Sequence, residues 1–363
     1  MKKVLLGDII ELAYGKSLPQ RSRVSGRFPV FGSNGQVDTH NKSLVGGPGI
    51  IVGRKGSVGE VIWSKQDFWP IDTTYYVRLK NPDDDLRYWY YVLKTLGLNK
   101  LNSHSAIPGL NRDIAYIKQV PLRSTLEQEK IANILGSLDE KIELNRRMNE
   151  TFEQLGQALF RHYFVDNSEV DSSESGEVSD VVRIYSGFAF KSKDFDIGGR
   201  YGLVTIKNVQ DGSFIKDCAD HLSEPLPDKT PEHVHLKSGD IILSLTGNVG
   251  RVCAVVGHDY LLNQRVAKLV SDESQAYVYF LFRSKTMKDR MVGISKGTAQ
   301  KNLSPIETGK LKIKIPPTNI MSQFEESAMD LLNMIVSNNE QTQDLTSLRD
   351  SLLPKLISGK IEI

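Results

Sequence analysis

Two cysteines in 363 residues, Cys218 and Cys253, exclude a disulfide framework and a cysteine zinc site. They read as two buried thiols in a reducing cytoplasm. No stretch reaches the roughly 18 apolar residues needed to cross a membrane, and the apolar run in "MKKVLLGDII" is too short for a signal-peptide core. Catalytic motifs are equally scarce. "YGKS" at Tyr14–Ser17 ends like a phosphate-binding loop, but Ile10 stands where that loop needs glycine. "FGSNG" at Phe31–Gly35 has G-x-x-G spacing and reads as a turn, not a cofactor loop. "IPPTN" at Ile315–Asn319 lacks both the amide or acid and the aromatic that adenine methyltransferases place around Pro-Pro. His233 and His235 share one strand face with no third ligand at metal-binding spacing, so no metal site is expected. No nuclease cluster of carboxylates and lysine stands out by spacing.

What the chain does have is charge arranged in blocks. Net charge is only +2. Residues 1–123 are net +8, 124–176 net −6, 177–315 net +4 and 316–363 net −4. Such alternation suggests segments with different partners.

It also has a repeat. "GRKGSVGEV" (Gly53–Val61) and "LTGNVGRV" (Leu245–Val252) each follow an aliphatic run and share Gly-x-Val-Gly at an offset of 191. "DIIELAYGK" (Asp8–Lys16) resembles "DVVRIYSGF" (Asp180–Phe188), and "SAIPGLNRDI" (Ser105–Ile114) matches "GTAQKNLSPI" (Gly297–Ile306). Pro121 and Gln128 return as Pro316 and Gln323. The period is far too long for a solenoid, so a whole domain with its appendage is duplicated. Each copy opens with short aliphatic runs joined by glycine turns, a hairpin signal. The aromatic-rich segments Asp85–Leu101 and Ala276–Met291 read as helices with a buried face.

The appendage differs. Ser124 with Glu127 forms a capping box, and Ser124–Phe164 has no proline. Ile131, Leu138, Asn145, Phe152 and Leu159 recur every seven residues, with Ile134, Leu135, Ile142, Met148 and Leu155 between them. Phe324, Leu331, Asn338, Leu345 and Leu352 repeat that row 193 residues later. This is a heptad seam. Helices of about 35–40 residues would each be about 55–60 Å long and need a partner for their apolar stripe. Chain order and pseudo-twofold duplication predict an antiparallel pair, with Asn145 facing Asn338 as a register device; the alternative leaves both amides in solvent. The expected fold is therefore duplicated, β-rich α/β domains joined by two long antiparallel coiled-coil helices. The boundaries are 1–123, 124–166 (helical spacer), 167–176 (flexible linker, Ser- and acid-rich), 177–315 and 316–363 (second spacer).

The candidate binding residues lie on the glycine loops. Arg54, Lys55 and Ser57 occupy the first turn, and Thr246, Asn248 and Arg251 the second. Asp72-Thr73-Thr74 align with Asn263-Gln264-Arg265 at the same offset. Lys296, Thr298, Gln300 and Lys301 cluster where the first copy has Ser103, His104 and Ser105. These side-chain types reach base edges and phosphates, and glycine turns let backbone N–H groups approach a phosphate. The competing reading is ordinary solvated hairpin tips.

The order domain, long helix, domain, long helix resembles the specificity subunit of Type I restriction–modification systems. The matching text includes "GPGIIVGRKGSVGEV", "FWPIDTTYYV", "LNRDIAYIKQVPL", "EQEKIANILGSLDEKIELNRRMNE" and "NEQTQDLTSLRDSLLPKLISGKIE". The resemblance implies a cytoplasmic, non-catalytic subunit that holds no cofactor. It would read a bipartite double-stranded DNA site with two target-recognition domains. It would dock two S-adenosylmethionine-dependent modification subunits through its helices, and ATP-consuming restriction subunits would complete the complex. The alternatives are a structural coiled-coil scaffold, which has no reason to carry alternating charge, and a methyltransferase or nuclease with an unrecognised motif.

Overall fold

A computed structural model of the chain describes residues 2–101, 109–297 and 301–363. It divides into two compact units, Met1–Glu140 with Thr346–Ile363, and Lys141–Leu345.

The first unit is built on a four-stranded antiparallel sheet of β1 (Ile10–Tyr14), β2 (Gly49–Gly53), β3 (Val61–Ser64) and β4 (Thr74–Leu79), in the order β1-β4-β2-β3. Ile50, Ile51 and Val52 are buried on both faces of β2, which is why that strand reads as a continuous aliphatic run. A second, three-stranded sheet centres on Phe28–Gly32. Helix α1 (Leu86–Thr95) starts where the Asp85 carboxylate accepts from the Tyr88 N–H at 2.7 Å. Its Tyr88, Trp89 and Tyr91 are buried in a core that also takes Ile131, Ala132 and Leu135. The aromatic face is therefore core. A short helix, α2 (Arg112–Tyr116), follows, then α3 (Thr125–Phe164). Glu127 accepts from the Ser124 N–H at 3.0 Å, the expected capping box.

The second unit repeats the plan. Strands β5 (Arg183–Ser186), β6 (Ile241–Ser244), β7 (Val252–Ala254) and β8 (Val266–Val270) form an antiparallel sheet in the order β5-β8-β6-β7. Its companion sheet has four strands rather than three. The segment expected to be one helix over Ala276–Met291 is two, α4 (Gln275–Arg283) and α5 (Lys285–Ile294). They break at Ser284, whose hydroxyl accepts from the Met287 N–H at 3.2 Å and so caps the second. Helices α6 (Pro305–Gly309) and α7 (Thr318–Ser358) follow.

The long helices run antiparallel within each unit. In the second, Asn145 Nδ2 donates to Gln341 Oε1 at 2.8 Å and Asn149 Nδ2 to Asn339 Oδ1 at 2.9 Å. In the first, Arg349 pairs with Asp139 at 2.8 Å. Asn145 and Asn338 do lie side by side, but their amides do not meet. Asn145 Nδ2 lies 3.5 Å from the Asn338 carbonyl oxygen, and the Asn338 amide donates to Asn149 Oδ1 at 2.9 Å. The layer is a network of amides, with Asn145 fully buried.

Two further expectations fail. Leu155, assigned to the seam, is 47% exposed. Beyond Phe152 the helix turns a different face inward, toward α4. Gly156 is buried there, and a Cβ on it would lie 2.1 Å from the Phe280 ring. The linker over 167–176 is also ordered. Ser168–Asp171 is one helical turn with Val170 buried, and Ser175–Glu177 pairs antiparallel with Lys312–Lys314. A single valine and a strand partner more than a hundred residues away hold a segment whose composition reads as disordered.

No helix among the described residues is long and apolar enough to cross a membrane. Burial pushes the thiols of Cys218 and Cys253 up to about 12. The His233 ring lies 3.0 Å from the Ser186 carbonyl oxygen and stacks on Tyr185, while His235 packs edge-on against Tyr201.

Candidate nucleic-acid interface

The two Gly-x-Val-Gly turns have the same local cause. Gly56 and Gly59 hold φ of +81° and +78°, and Gly247 and Gly250 hold +69° and +80°. Other residues rarely adopt these angles. The valine between them is buried in both copies and anchors the turn to the core. Gly59 N–H donates to Gly53 O at 2.8 Å, and Gly250 N–H to Ser244 O at 3.1 Å. The offset of 191 therefore holds through this turn.

Tertiary contacts bring three loops together in each domain. In the first, the N–H groups of Arg54 and Lys55 both donate to Thr73 O, at 2.9 and 3.1 Å, and the Leu110 N–H donates to Arg54 O at 2.9 Å. In the second, the Leu245 N–H donates to Arg265 O at 3.0 Å and the Leu303 N–H to Leu245 O at 2.8 Å. Lys296 and Asn302 exchange backbone hydrogen bonds at 2.9 and 2.8 Å, and the Gly247 N–H reaches Lys301 O at 3.2 Å. Segments more than fifty residues apart in sequence share one edge of each domain.

These bonds also correct the alignment. Thr74 N–H donates to Ile71 O, and Val266 N–H donates to Asn263 O. The β4 loop thus matches the β8 loop at an offset of 192, not 191. Thr73 corresponds to Arg265, and Thr74 to Val266. Thr74 and Val266 are both 0% exposed, and the Thr74 hydroxyl donates to Ile71 O at 2.8 Å. Thr74 fills a core position that valine fills in the other copy, so its side chain is not presented at the edge. Thr246 is not presented there either, because it is buried.

The remaining candidates divide by exposure. Lys55, Asn248, Gln264, Arg265, Lys296 and Lys301 are exposed, and Ser57 and Thr73 are half-buried. The Arg265 guanidinium lies 3.4 Å from Asn302 Oδ1. Arg251 is half-buried and donates to Gln210 Oε1 at 2.8 Å. Gln210, a partner that lies 41 residues away and gave no sequence signal, therefore positions Arg251. Ser103, His104, Thr298 and Gln300 lie outside the described residues.

Two further residues had no sequence signal. Tyr14 ends β1 and is 51% exposed. The Arg54 and Arg112 guanidinium carbons lie 5.2 and 5.1 Å from its centroid, within cation–π range. Tyr75 packs against the same ring at 5.1 Å. Desolvation, with Tyr14 beside it, pushes the Tyr75 hydroxyl up to about 12, so it stays protonated and can donate to Leu110 O at 3.1 Å. Among the described residues no group of three or more His, Cys, Asp or Glu side chains could hold a metal ion.

The edge so built offers N–H and ammonium donors on glycine-shaped loops, the requirement for phosphates and base edges. Comparison with known proteins leads the same way. The chain is 25% identical over 343 residues to the Type I restriction enzyme MjaIX specificity subunit of Methanocaldococcus jannaschii, covering 86% of this chain and 78% of that one. It is 24% identical over 399 residues to the MjaVIII specificity subunit of the same organism, covering 99% and 92%. Its fold matches a crystal structure of the Type I restriction–modification S subunit from M. genitalium with a TM-score of 0.69 at 18% identity, over 98% of this chain and 96% of that one. The family model described as the Type I restriction modification DNA specificity domain matches residues 1–154 and again 170–341. With one match on each repeat, the chain belongs to the Type I restriction–modification DNA specificity family, a non-catalytic subunit that recognises DNA sequence through two domains.

Proposed function

We propose that the two loop edges each read one half of a bipartite double-stranded DNA site, and that α3 and α7 set the spacer between the halves. The helices also dock two modification subunits, and restriction subunits complete a cytoplasmic complex. The observation that carries this reading is the convergence of the same three loops on both repeats, with different side chains presented on each. A shared backbone with unlike tips is what two readers of unlike sequences need. The net negative charge of both helical segments, −6 over 124–176 and −4 over 316–363, suits protein partners better than a DNA backbone. S-adenosylmethionine and ATP belong to those partner subunits, and this chain takes no cofactor of its own.

Methylation mapping in cells with and without this chain tests the proposal. A two-part motif present in the first and absent from the second is the expected result; an unchanged methylome would refute it. The loop assignment is tested separately in a reconstituted complex. Lys55→Ala is expected to weaken cognate binding and to reduce the slope of log K against log salt by about one unit. Wild-type affinity in Lys55→Ala, Arg54→Ala and Arg251→Ala alike would remove these residues from the interface.

A further inference from the structure

The second repeat lacks every member of the cluster around Tyr14, and the hydrogen-bond register shows what stands in each place. Tyr14 pairs with Tyr75 across β1 and β4, as Ser186 pairs with Ala267 across β5 and β8. Arg54 sits between Thr73 and Leu110 as Leu245 sits between Arg265 and Leu303. Arg112 is the first residue of α2, after the Asn111 cap, as Pro305 opens α6 after the Ser304 cap. Tyr14, Tyr75, Arg54 and Arg112 thus become Ser186, Ala267, Leu245 and Pro305.

Four residues that touch one another are replaced together, while the backbone that carries them is kept. A set needed to hold the shared loops would have a substitute in the second copy. Leu245 and Ala267 show that these backbones close without it; both are buried aliphatics. The cluster therefore serves something that only the first domain does.

Its chemistry narrows what that is. Two guanidiniums share one half-exposed tyrosine, and no described salt bridge pairs either with a carboxylate. Among the described residues Arg54 Nε is buried without a hydrogen-bond partner, and a buried donor left unmet is costly. Both arginines border the edge formed by Lys55 and Thr73. A guanidinium held against an aromatic face loses less rotamer freedom on binding and keeps its N–H edge for an acceptor pair. The commonest base-edge pair of that kind in DNA is O6 and N7 of guanine.

We propose that Arg54 and Arg112, positioned by Tyr14, form a two-arginine fork that reads guanine in the half-site of the first domain, and that the second domain reads without one. This rests on the two-reader proposal above. In a reconstituted complex, Arg112→Ala is expected to lower discrimination for one G·C pair about 10- to 100-fold in a single half-site. The other half-site, read in the same assay, should not change and reports that the complex is assembled. Arg112→Lys should restore the discrimination only in part, because a flexible ammonium lacks the planar fork that the Tyr14 ring holds in place. Tyr14→Leu keeps both charges and removes the ring. It should relax the same position while leaving the salt slope as in the wild type, a separation that lost folding would not produce. A uniform loss of affinity with an unaltered motif would mean phosphate contacts and would overturn the fork. So would unchanged discrimination in both Arg112→Ala and Arg54→Ala. If the wild-type complex itself showed no two-part motif, the underlying two-reader proposal would fail instead.

Discussion

Exchanging residues 177–315 for the corresponding domain of another specificity subunit is expected to rewrite one half of the methylated motif completely and to leave the other half as it was. The structure gives this exchange defined ends. Glu177 and Lys312 face each other in the antiparallel pair Ser175–Glu177 with Lys312–Lys314, so the segment leaves and re-enters at adjacent strands. The condition for success lies in what the helices contribute. Phe160 and Phe324 pack into the same core as Tyr277 and Phe280. Glu153 accepts from the Tyr279 hydroxyl at 2.9 Å and pairs with Arg283 at the same distance. An incoming domain that lacks the arginine would leave the Glu153 carboxylate half-buried and unpaired, which costs several kcal/mol when one partner of a buried pair is removed. Donors that retain Tyr279, Phe280 and Arg283 equivalents should fold and switch specificity. Methylome sequencing reads the result. A change in both half-sites would show that the domains do not read independently.

Inserting one heptad into both long helices is expected to lengthen the preferred spacer by two to four base pairs without altering either half-site. Seven residues add about 10 Å and preserve the seam. At roughly 3.4 Å per base pair that is about three base pairs. Heptad arithmetic alone would match Phe152 with Leu345 as insertion points, since these are corresponding seam positions of the two helices. The observed register does not. Asn145 meets Gln341 and Asp139 meets Arg349, so the residue opposite Leu345 is close to Lys141. Phe152, by contrast, already packs against the core of the second domain. The insertions belong after Glu140 and after Leu345, where the two units divide. Three base pairs also turn the DNA by nearly a third of a turn, so some loss of affinity accompanies the shift. Full activity on an unchanged spacer would mean that the helices do not set the gap.

The sequence by itself determined those features that depend on neighbouring residues. Gly-x-Val-Gly is legible because positive φ at Gly56, Gly59, Gly247 and Gly250 is a local demand. The capping box at Ser124 and the heptads of α3 and α7 are local in the same sense. Matching motifs in the same order in both halves of the chain turned these local signs into a duplicated architecture. Tertiary structure alone decided what depends on distant partners. One extra residue in the second copy, between its glycine turn and β8, makes Thr74 correspond to buried Val266 rather than to exposed Arg265, because a single-residue shift along a strand exchanges its faces. Thr246 looks like a loop-tip hydroxyl until the backbone partners around Asn302 close over it. Leu155 obeys the heptad but not the fold, since α4 offers the helix a better apolar partner on another face. Val170 gives no periodic signal, yet it is buried, and Ser175–Glu177 finds its strand partner only at Lys312–Lys314. Tyr14 with Arg54 and Arg112 is the clearest case. The three are spread over almost a hundred residues, and only the pairing of β1 with β4 and the approach of the Leu110 loop to Arg54 bring two guanidiniums to one ring. Periodicity records which face a residue lies on within its own element, whereas a binding edge is made where elements from different parts of the chain end together.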